Sequence, residues 1–354
     1  QARGIARVRG PPAPNSSMVK VAIFSSGNYV RRQLAPLLEK HPGSFHIDEV
    51  CTSSTAALCK GAEAVCLFVN DDVTKDTIQV FKENGVKLLL LRCPEVYHLD
   101  LEAAAEAGIK VVRVQGYCPH AVAEHAIALT MSLNRRICRA FNRVTASNFN
   151  LGGLCGMDMH GKTIGIIGCG KVGRVAARAF KAMGMKLLIW DPHKEEEILA
   201  LGASKCESIE DLYKESDVIS LHVPLTEATK HMINAESIGM MKKGVLLVNT
   251  SRGLLVDTQA MIAGLRSGRI GGVALDVYEE EEKLFNQDKS EFSDEVRILQ
   301  WDFQFATLRS FPNTVITPHS AFLTRESLKL VCGMVLSNLE EYEKQGPLTW
   351  EVKP

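Results

Sequence analysis

Residues 163–191 read TIGIIGCGKVGRVAARAFKAMGMKLLIWD. A β-branched run, TIGIIG (163–168), runs into the pattern G-x-G-x-x-G, GCGKVG (168–173), which opens a stretch of strong helix formers, RVAARAFKAM (174–183). The motif alone carries little, but strand, turn and helix together give each glycine a task. Gly168 permits a tight turn, Gly170 lets the backbone approach a pyrophosphate, and Gly173 lets the helix pack closely on the strand. Gly184 stands where a helix C-cap glycine would end it. The helix N-terminus then offers unpaired N–H groups and positive dipole to phosphates. The next run, KLLIWD (186–191), ends on Asp191. An acid there accepts hydrogen bonds from a ribose 2′-hydroxyl and repels a 2′-phosphate, so the unit predicts NAD rather than NADP as cofactor. A structural glycine turn followed by a surface Asp is the alternative, and it requires three features to coincide.

Outward from this unit, short apolar runs alternate with longer amphipathic stretches, the pattern of parallel strands buried on both faces and joined by crossover helices. An earlier series comprises VKVAIF (19–24), AVCLFV (64–69), VKLLLL (86–91) and KVVRV (110–114). The later series continues from residue 191 with DVISLHV (217–223), GVLLVNTS (244–251), GGVALDV (271–277) and TVITPH (314–319). Two series predict an α/β protein of two doubly wound parallel-sheet domains. The expected boundaries are 18–116 with 318–354 for one domain and 117–317 for the other, after a tail at 1–17. PHAVAEHAIALTMSLNRR (119–136) has helical apolar spacing and is long enough to bridge domains. A second bridge is expected near residue 320.

The 354 residues are 46% hydrophobic and 23% charged, the composition of a chain that buries a full core. Lys+Arg (41) equal Asp+Glu (41), which leaves no electrostatic case for nucleic acid or an anionic membrane as partner. No apolar run reaches the ~18–20 residues that span a bilayer. The ten cysteines form no C-x-x-C pair, no metal site is expected, and reduced thiols in a cytoplasmic compartment are the natural reading. The segment QARGIARVRGPPAPNSS (1–17) holds three arginines and no acid, so the end of a mitochondrial or plastid transit peptide competes there with plain linker.

In doubly wound sheets ligands bind beyond the carboxyl ends of the strands. Arg252, in VNTSRG, offers a planar fork that suits a carboxylate, unless it is a surface arginine beside a turn glycine. His319 follows a strand and Pro318; a packed or solvated histidine is the plainer reading. The acidic run Glu279–Glu282, taken alone, reads as a solvated face.

GYCPHAVAEHAIAL, FNLGGLCGMDMHGKTIGIIGCGKVG, DVISLHVPLT, HMIN, VNTSRGLLVD, GGVALDVYEEE and SFPNTVITPHSAF occur in this order. In these the chain resembles the D-isomer-specific 2-hydroxyacid dehydrogenases over roughly residues 18–345, and within them it is most similar to the D-lactate dehydrogenase branch. The resemblance implies a flavodoxin-like substrate domain beside a Rossmann NAD-binding domain, reduction of pyruvate to D-lactate, and a homodimer built through the nucleotide-binding domains, with the helix at 119–136 as contact. It implies Arg252, Glu281 and His319 as the catalytic set and Tyr117 as an active-site tyrosine. Cofactor contacts fall by the same likeness on Lys171, Val172, Asp191, Val223, Pro224, Thr229, Thr250, Ser251, Arg252 and Asp276. The chemistry is coherent: a guanidinium holds the substrate carboxylate and polarises the ketone, and an imidazole whose charged form a carboxylate favours delivers the proton. Other 2-oxoacids such as glyoxylate or hydroxypyruvate stay open as substrates. The same fold also resembles NAD-sensing co-repressors that bind peptide motifs.

One segment departs from the family pattern. Relatives carry a loop resembling R-[NC]-x-G-x-[ND]-N, whose x-G backbone N–H groups hold the substrate carboxylate; here it reads RCPEVYH (92–98). Pro94 has no N–H, and Glu95 brings a negative charge and removes the positive-φ freedom of glycine. Two expectations follow. Either pyruvate is anchored weakly or differently, or the loop has shifted by a residue and another N–H serves.

Overall fold

The computed structural model describes residues 18–354 apart from Tyr117, Asn286, Gln287 and Glu291. The expected tail at 1–17 and the candidate tyrosine, Tyr117, thus lie outside the described residues. Two compact units divide the rest, residues 18–116 with 329–354 and residues 118–328. The chain returns to the first unit within the helix Arg325–Glu343, later than the expected residue 318. The reason is local: the backbone N–H groups of Ser320 and Ala321 bind the Asp276 carboxylate, which keeps this stretch with the second unit.

The first unit holds the parallel strands β1 (Val21–Ile23), β2 (Phe45–His46), β3 (Ala64–Leu67), β4 (Leu88–Leu91) and β5 (Lys110–Arg113). Its sheet runs β5-β4-β3-β1-β2, and the C-terminal strand Glu351–Val352 adds antiparallel to β5. Every residue of β3 and β4 is buried, as expected for strands covered on both faces. The order 2-1-3-4-5 is the flavodoxin-like one.

The second unit holds β6 (Thr163–Ile167), β7 (Lys186–Trp190), β8 (Ser204–Lys205), β9 (Val218–Leu221), β10 (Val245–Asn249), β11 (Ile270–Leu275) and β12 (Thr314–Ile316). These seven strands run β12-β11-β10-β9-β6-β7-β8, all parallel. Counted from β6, this is the Rossmann order 3-2-1-4-5-6 with a seventh strand at the edge, and the order reverses between β6 and β9. One face is covered by a cluster that includes Leu212, Ile238, Met261 and Leu265. The other is covered by Ala123, Ala126, Leu129 and Leu133 of the helix Pro119–Asn134 with Ala176, Ala177 and Phe180 of the helix Lys171–Ala182.

Helix Pro119–Asn134 therefore spends its apolar stripe on the core. The exposed apolar side chains lie further on, at Ile137, Phe141 and Val144 of the helix Ile137–Thr145 and at Phe149 and Leu151. Among the described residues no helix is long and apolar enough to cross a membrane, and no group of three or more His, Cys, Asp or Glu side chains is placed to hold a metal.

Candidate active site

Because β6, β7, β9, β10, β11 and β12 are parallel, the loops that follow them gather at one edge of the sheet. The glycine turn follows β6, at the point where strand order reverses. Gly168 has φ 99°, and a Cβ there would lie 2.6 Å from the His222 carbonyl oxygen, so only glycine fits. A Cβ on Gly173 would overlap the Gly168 carbonyl, whereas above Gly170 the space is open. Lys171 and Val172 form the first turn of the following helix, which no side chain caps. Its first N–H groups thus lack a partner from the helix itself.

Asp191 lies just beyond β7. Its Oδ2 accepts from the Cys169 backbone N–H at 2.7 Å and its Oδ1 from the His193 N–H at 2.9 Å, which aims the carboxylate at the glycine turn. Each carboxylate oxygen accepts more than one hydrogen bond, so capacity for a ribose hydroxyl remains. After β9, the Thr229 hydroxyl donates to the Pro224 carbonyl at 2.7 Å and closes the turn that begins at Val223. After β10, Thr250 is buried and its hydroxyl has no hydrogen-bond partner among the described residues. Ser251 donates to the Leu221 carbonyl at 3.0 Å. An uncapped helix, open space above Gly170 and an orphaned buried hydroxyl at the same edge fit a dinucleotide.

Arg252 follows Ser251, and its Nη1 donates to the Ser251 carbonyl at 2.6 Å. Asn249, which the sequence did not single out, fixes this loop: its amide donates to the Arg252 carbonyl at 2.8 Å and accepts from the Ser251 N–H at 3.0 Å. Gly253 is needed for close approach, since a Cβ would overlap the Tyr278 carbonyl. The Arg252 loop is thereby pressed on the segment that leads to Glu281.

Glu281 and His319, 38 residues apart, meet with Oε1 to Nδ1 at 2.7 Å. Glu281 Oε2 accepts from the Tyr278 backbone N–H at 2.8 Å, which orients the carboxylate. His319 is in the left-handed region, φ 51°, and its Nε2 has no hydrogen-bond partner among the described residues. The acidic run is not merely a solvated face. Glu279 accepts from His231 at 2.7 Å and from the Thr258 N–H at 3.2 Å, joining three loops.

Asp276 is fully buried. Its carboxylate accepts from the Thr317 hydroxyl and from the backbone N–H groups of Ser320 at 2.9 Å and Ala321 at 2.8 Å, with His125 Nε2 at 3.3 Å. Burial alone would raise its pKa, but these hydrogen bonds outweigh it and hold the carboxyl below its ordinary value. Its carboxylate thereby anchors the loop that carries His319.

In the first unit, Arg92 is buried over the Phe68 ring at 4.6 Å, and its Nη2 donates to the carbonyls of Phe24 and Ser25 at 2.9 and 3.0 Å. Arg113 Nη1 donates to the Pro94 carbonyl at 3.0 Å. The departing loop needs no positive φ: residues 92–98 contain none, which corrects the concern that Glu95 strains the turn. Glu95 is half-buried rather than fully in solvent.

The family described as D-isomer specific 2-hydroxyacid dehydrogenase, NAD binding domain, matches residues 127–321. D-lactate dehydrogenase of Escherichia coli (strain K12) is 44% identical over 327 residues, covering 92% of this chain and 97% of that protein. 2-Hydroxyacid dehydrogenase A of Aspergillus oryzae is 43% identical over 328 residues, 92% of each chain. A solved structure described as "Identification of the pyruvate reductase of Chlamydomonas reinhardtii" superposes with a TM-score of 0.91 at 40% identity, covering 94% of this chain and 98% of that one. The chain belongs to the D-isomer specific 2-hydroxyacid dehydrogenases. As a member of that family it is an NAD-dependent oxidoreductase, and the glycine turn lies within its NAD-binding domain.

Asp276→Asn tests the loop anchor. The amide places a donor against donors, and each stranded buried group costs about 1–3 kcal/mol. A carboxyl whose folded pKa is depressed stabilises fully above its unfolded value, near 3.9, and loses that contribution as pH falls through the folded value. The melting temperature of the variant is therefore lower at pH 7, and its fall below about pH 4 is shallower than the parent's.

Proposed function

We propose that this dehydrogenase reduces pyruvate to D-lactate with NADH, with Arg252, Glu281 and His319 as the catalytic set. The observation that carries this reading is the His319 ring, fixed at Nδ1 by Glu281 and left without a partner at Nε2. NADH, when bound, supplies the hydride. Lys171, Val172 and Gly173 at the helix start, Asp191 at the ribose, and Val223, Pro224, Thr229, Thr250 and Ser251 along the edge are the residues that would hold it. Arg252 pairs with the substrate carboxylate and draws charge from the ketone oxygen. As the C2 carbonyl carbon accepts the hydride, His319 gives its Nε2 proton to that oxygen; in lactate oxidation the neutral imidazole takes the proton back. Glu281 positions the imidazole through its bond to Nδ1. Asp276 positions the loop that carries His319, and its Oδ2, which accepts from the Ala321 N–H, keeps capacity to accept from the dinucleotide as well.

The loop at 92–98 is the proposed substrate anchor of the first unit. With no N–H at Pro94, the donor this loop offers moves on to Val96, whose N–H has no hydrogen-bond partner among the described residues. This supports the one-residue shift over outright loss of the anchor. The same feature keeps other 2-oxoacids in contention.

We also infer a homodimer, formed by a second copy packing on the exposed apolar side chains of 137–151, which are more contiguous than scattered surface residues would be. Ten cysteines with no disulfide among them fit a reducing, cytoplasmic setting.

Three measurements check these assignments. In a panel of 2-oxoacids with NADH, pyruvate gives the highest kcat/KM, and His319→Gln lowers its kcat ~100- to 10,000-fold while NADH affinity holds; a better turnover of glyoxylate or hydroxypyruvate would reassign the substrate. The parent prefers NADH strongly over NADPH, and Asp191→Ala narrows that preference; equal use of both by the parent contradicts the role of Asp191. Phe141→Arg converts the dimer to monomer by light scattering, and an unchanged mass removes this surface from the interface.

A further inference from the structure

Away from the strand-end site, the second unit holds a cavity of about 460 Å³ lined by the end of helix Pro119–Asn134, by helix Ile137–Thr145 and by the segment from Phe311 to Val315. Arg136, Arg139 and Arg143 line it, and among the described residues no acidic side chain does. Arg143 is occupied, since its Nη1 donates to the carbonyls of Asn150 and Gly152 at 2.9 and 2.7 Å. Arg139 reaches only the Gly153 carbonyl, at 3.5 Å.

Arg136 is different. Its Nη1 is buried and has no hydrogen-bond partner among the described residues, and the hydroxyl of Thr314, in the same lining, is buried and unpartnered as well. Arg136 is half-buried as a whole, but this one donor is out of water, and buried donors in folded proteins are ordinarily satisfied. Burial first, and then Arg139, act against the charge on Arg136 and lower its pKa. Its backbone is held in the left-handed region, φ 53°, a conformation that side chains other than glycine adopt at a cost.

We propose that this cavity binds a small multivalent oxyanion from solution, a phosphate or a polycarboxylate. Arg136 and Arg139 supply the charge, and the Thr314 hydroxyl is a third donor. The site is distinct from the strand-end site: Thr314 opens β12, whereas the loop to His319 leaves its other end. It opens on another face of the helix from Ile137, Phe141 and Val144, although Ala146 and Asn148 of its lining belong to the segment that carries Phe149 and Leu151. At 100° per residue, Ile137, Phe141 and Val144 lie about 130° around their helix from the three arginines.

The test is calorimetric titration of inorganic phosphate and, separately, citrate into the full chain at constant ionic strength, with the parent, Arg136→Gln and Thr314→Val. Saturable binding of at least one probe is expected, weakened about tenfold or more in Arg136→Gln. Thr314→Val keeps the shape of the strand and so guards against a folding artefact; it should weaken binding severalfold, with NADH affinity unchanged in both variants. The proposal is overturned by no saturable binding, by binding that both variants leave intact, or by binding that NADH displaces, which would put the anion at the glycine turn. It is overturned equally if neither probe binds and the variants change only the oligomeric state, because a second copy then provides the counter-charge.

Discussion

The carboxylate of Asp276 sets where His319 points. It is fully buried, and the loop 317–321 wraps around it through the Thr317 hydroxyl and the N–H groups of Ser320 and Ala321, with His125 at its side. A buried charge is tolerable only when its lone pairs are met, so the carboxylate and the loop specify each other. That wrapping also offsets the left-handed backbone of His319, a conformation a histidine would not hold unaided. Without the carboxylate, Glu281 would have no fixed imidazole to meet.

The remaining site loops are locked by close approach rather than by charge. Gly253 lets the Arg252 loop lie on the Tyr278 backbone, Asn249 ties both sides of the turn, and Glu279 joins His231 to the helix start at Thr258. Arg252 and Glu281 therefore sit on segments packed against each other, and a shift of one moves the other. For the roles proposed above, a guanidinium and an imidazole must reach a carboxylate and a ketone that are a single bond apart, and misplacement by about 1 Å can cost ~100-fold in rate.

The two sheets and their strands were legible because each strand, buried on both faces, is a continuous apolar run. The glycine turn was legible because close approach admits no other residue. Strands of two residues, such as β2 and β8, leave no pattern to read, and the antiparallel strand Glu351–Val352 is equally short. Arg252 and His319 stood out by type and position, whereas Glu281 came only from resemblance: nothing local distinguishes it from Glu279, Glu280 or Glu282, and the pairing that does spans 38 residues. The loop-anchoring role of Asp276 is not legible, since no spacing rule reveals that its oxygens accept from a loop 41 to 45 residues further on. Asn249 and His125 were missed for the same reason, because their partners are backbone or distant in sequence.

Arg252, Glu281 and His319 all belong to the unit 118–328, together with every residue proposed to hold the dinucleotide. Their mutual geometry is therefore set within one folded unit, by Asp276, Gly253 and Asn249, and owes nothing to the loop at 92–98. That loop rests on its own scaffold: Arg92 is buried under it and bonded to the Phe24 and Ser25 carbonyls, and Arg113 holds the Pro94 carbonyl. Proline at 94 removes one backbone N–H from that loop, while the pairing of His319 with Glu281 rests on other segments. The orientation of His319 is thus fixed within one unit, by a buried carboxylate and the loop that wraps it.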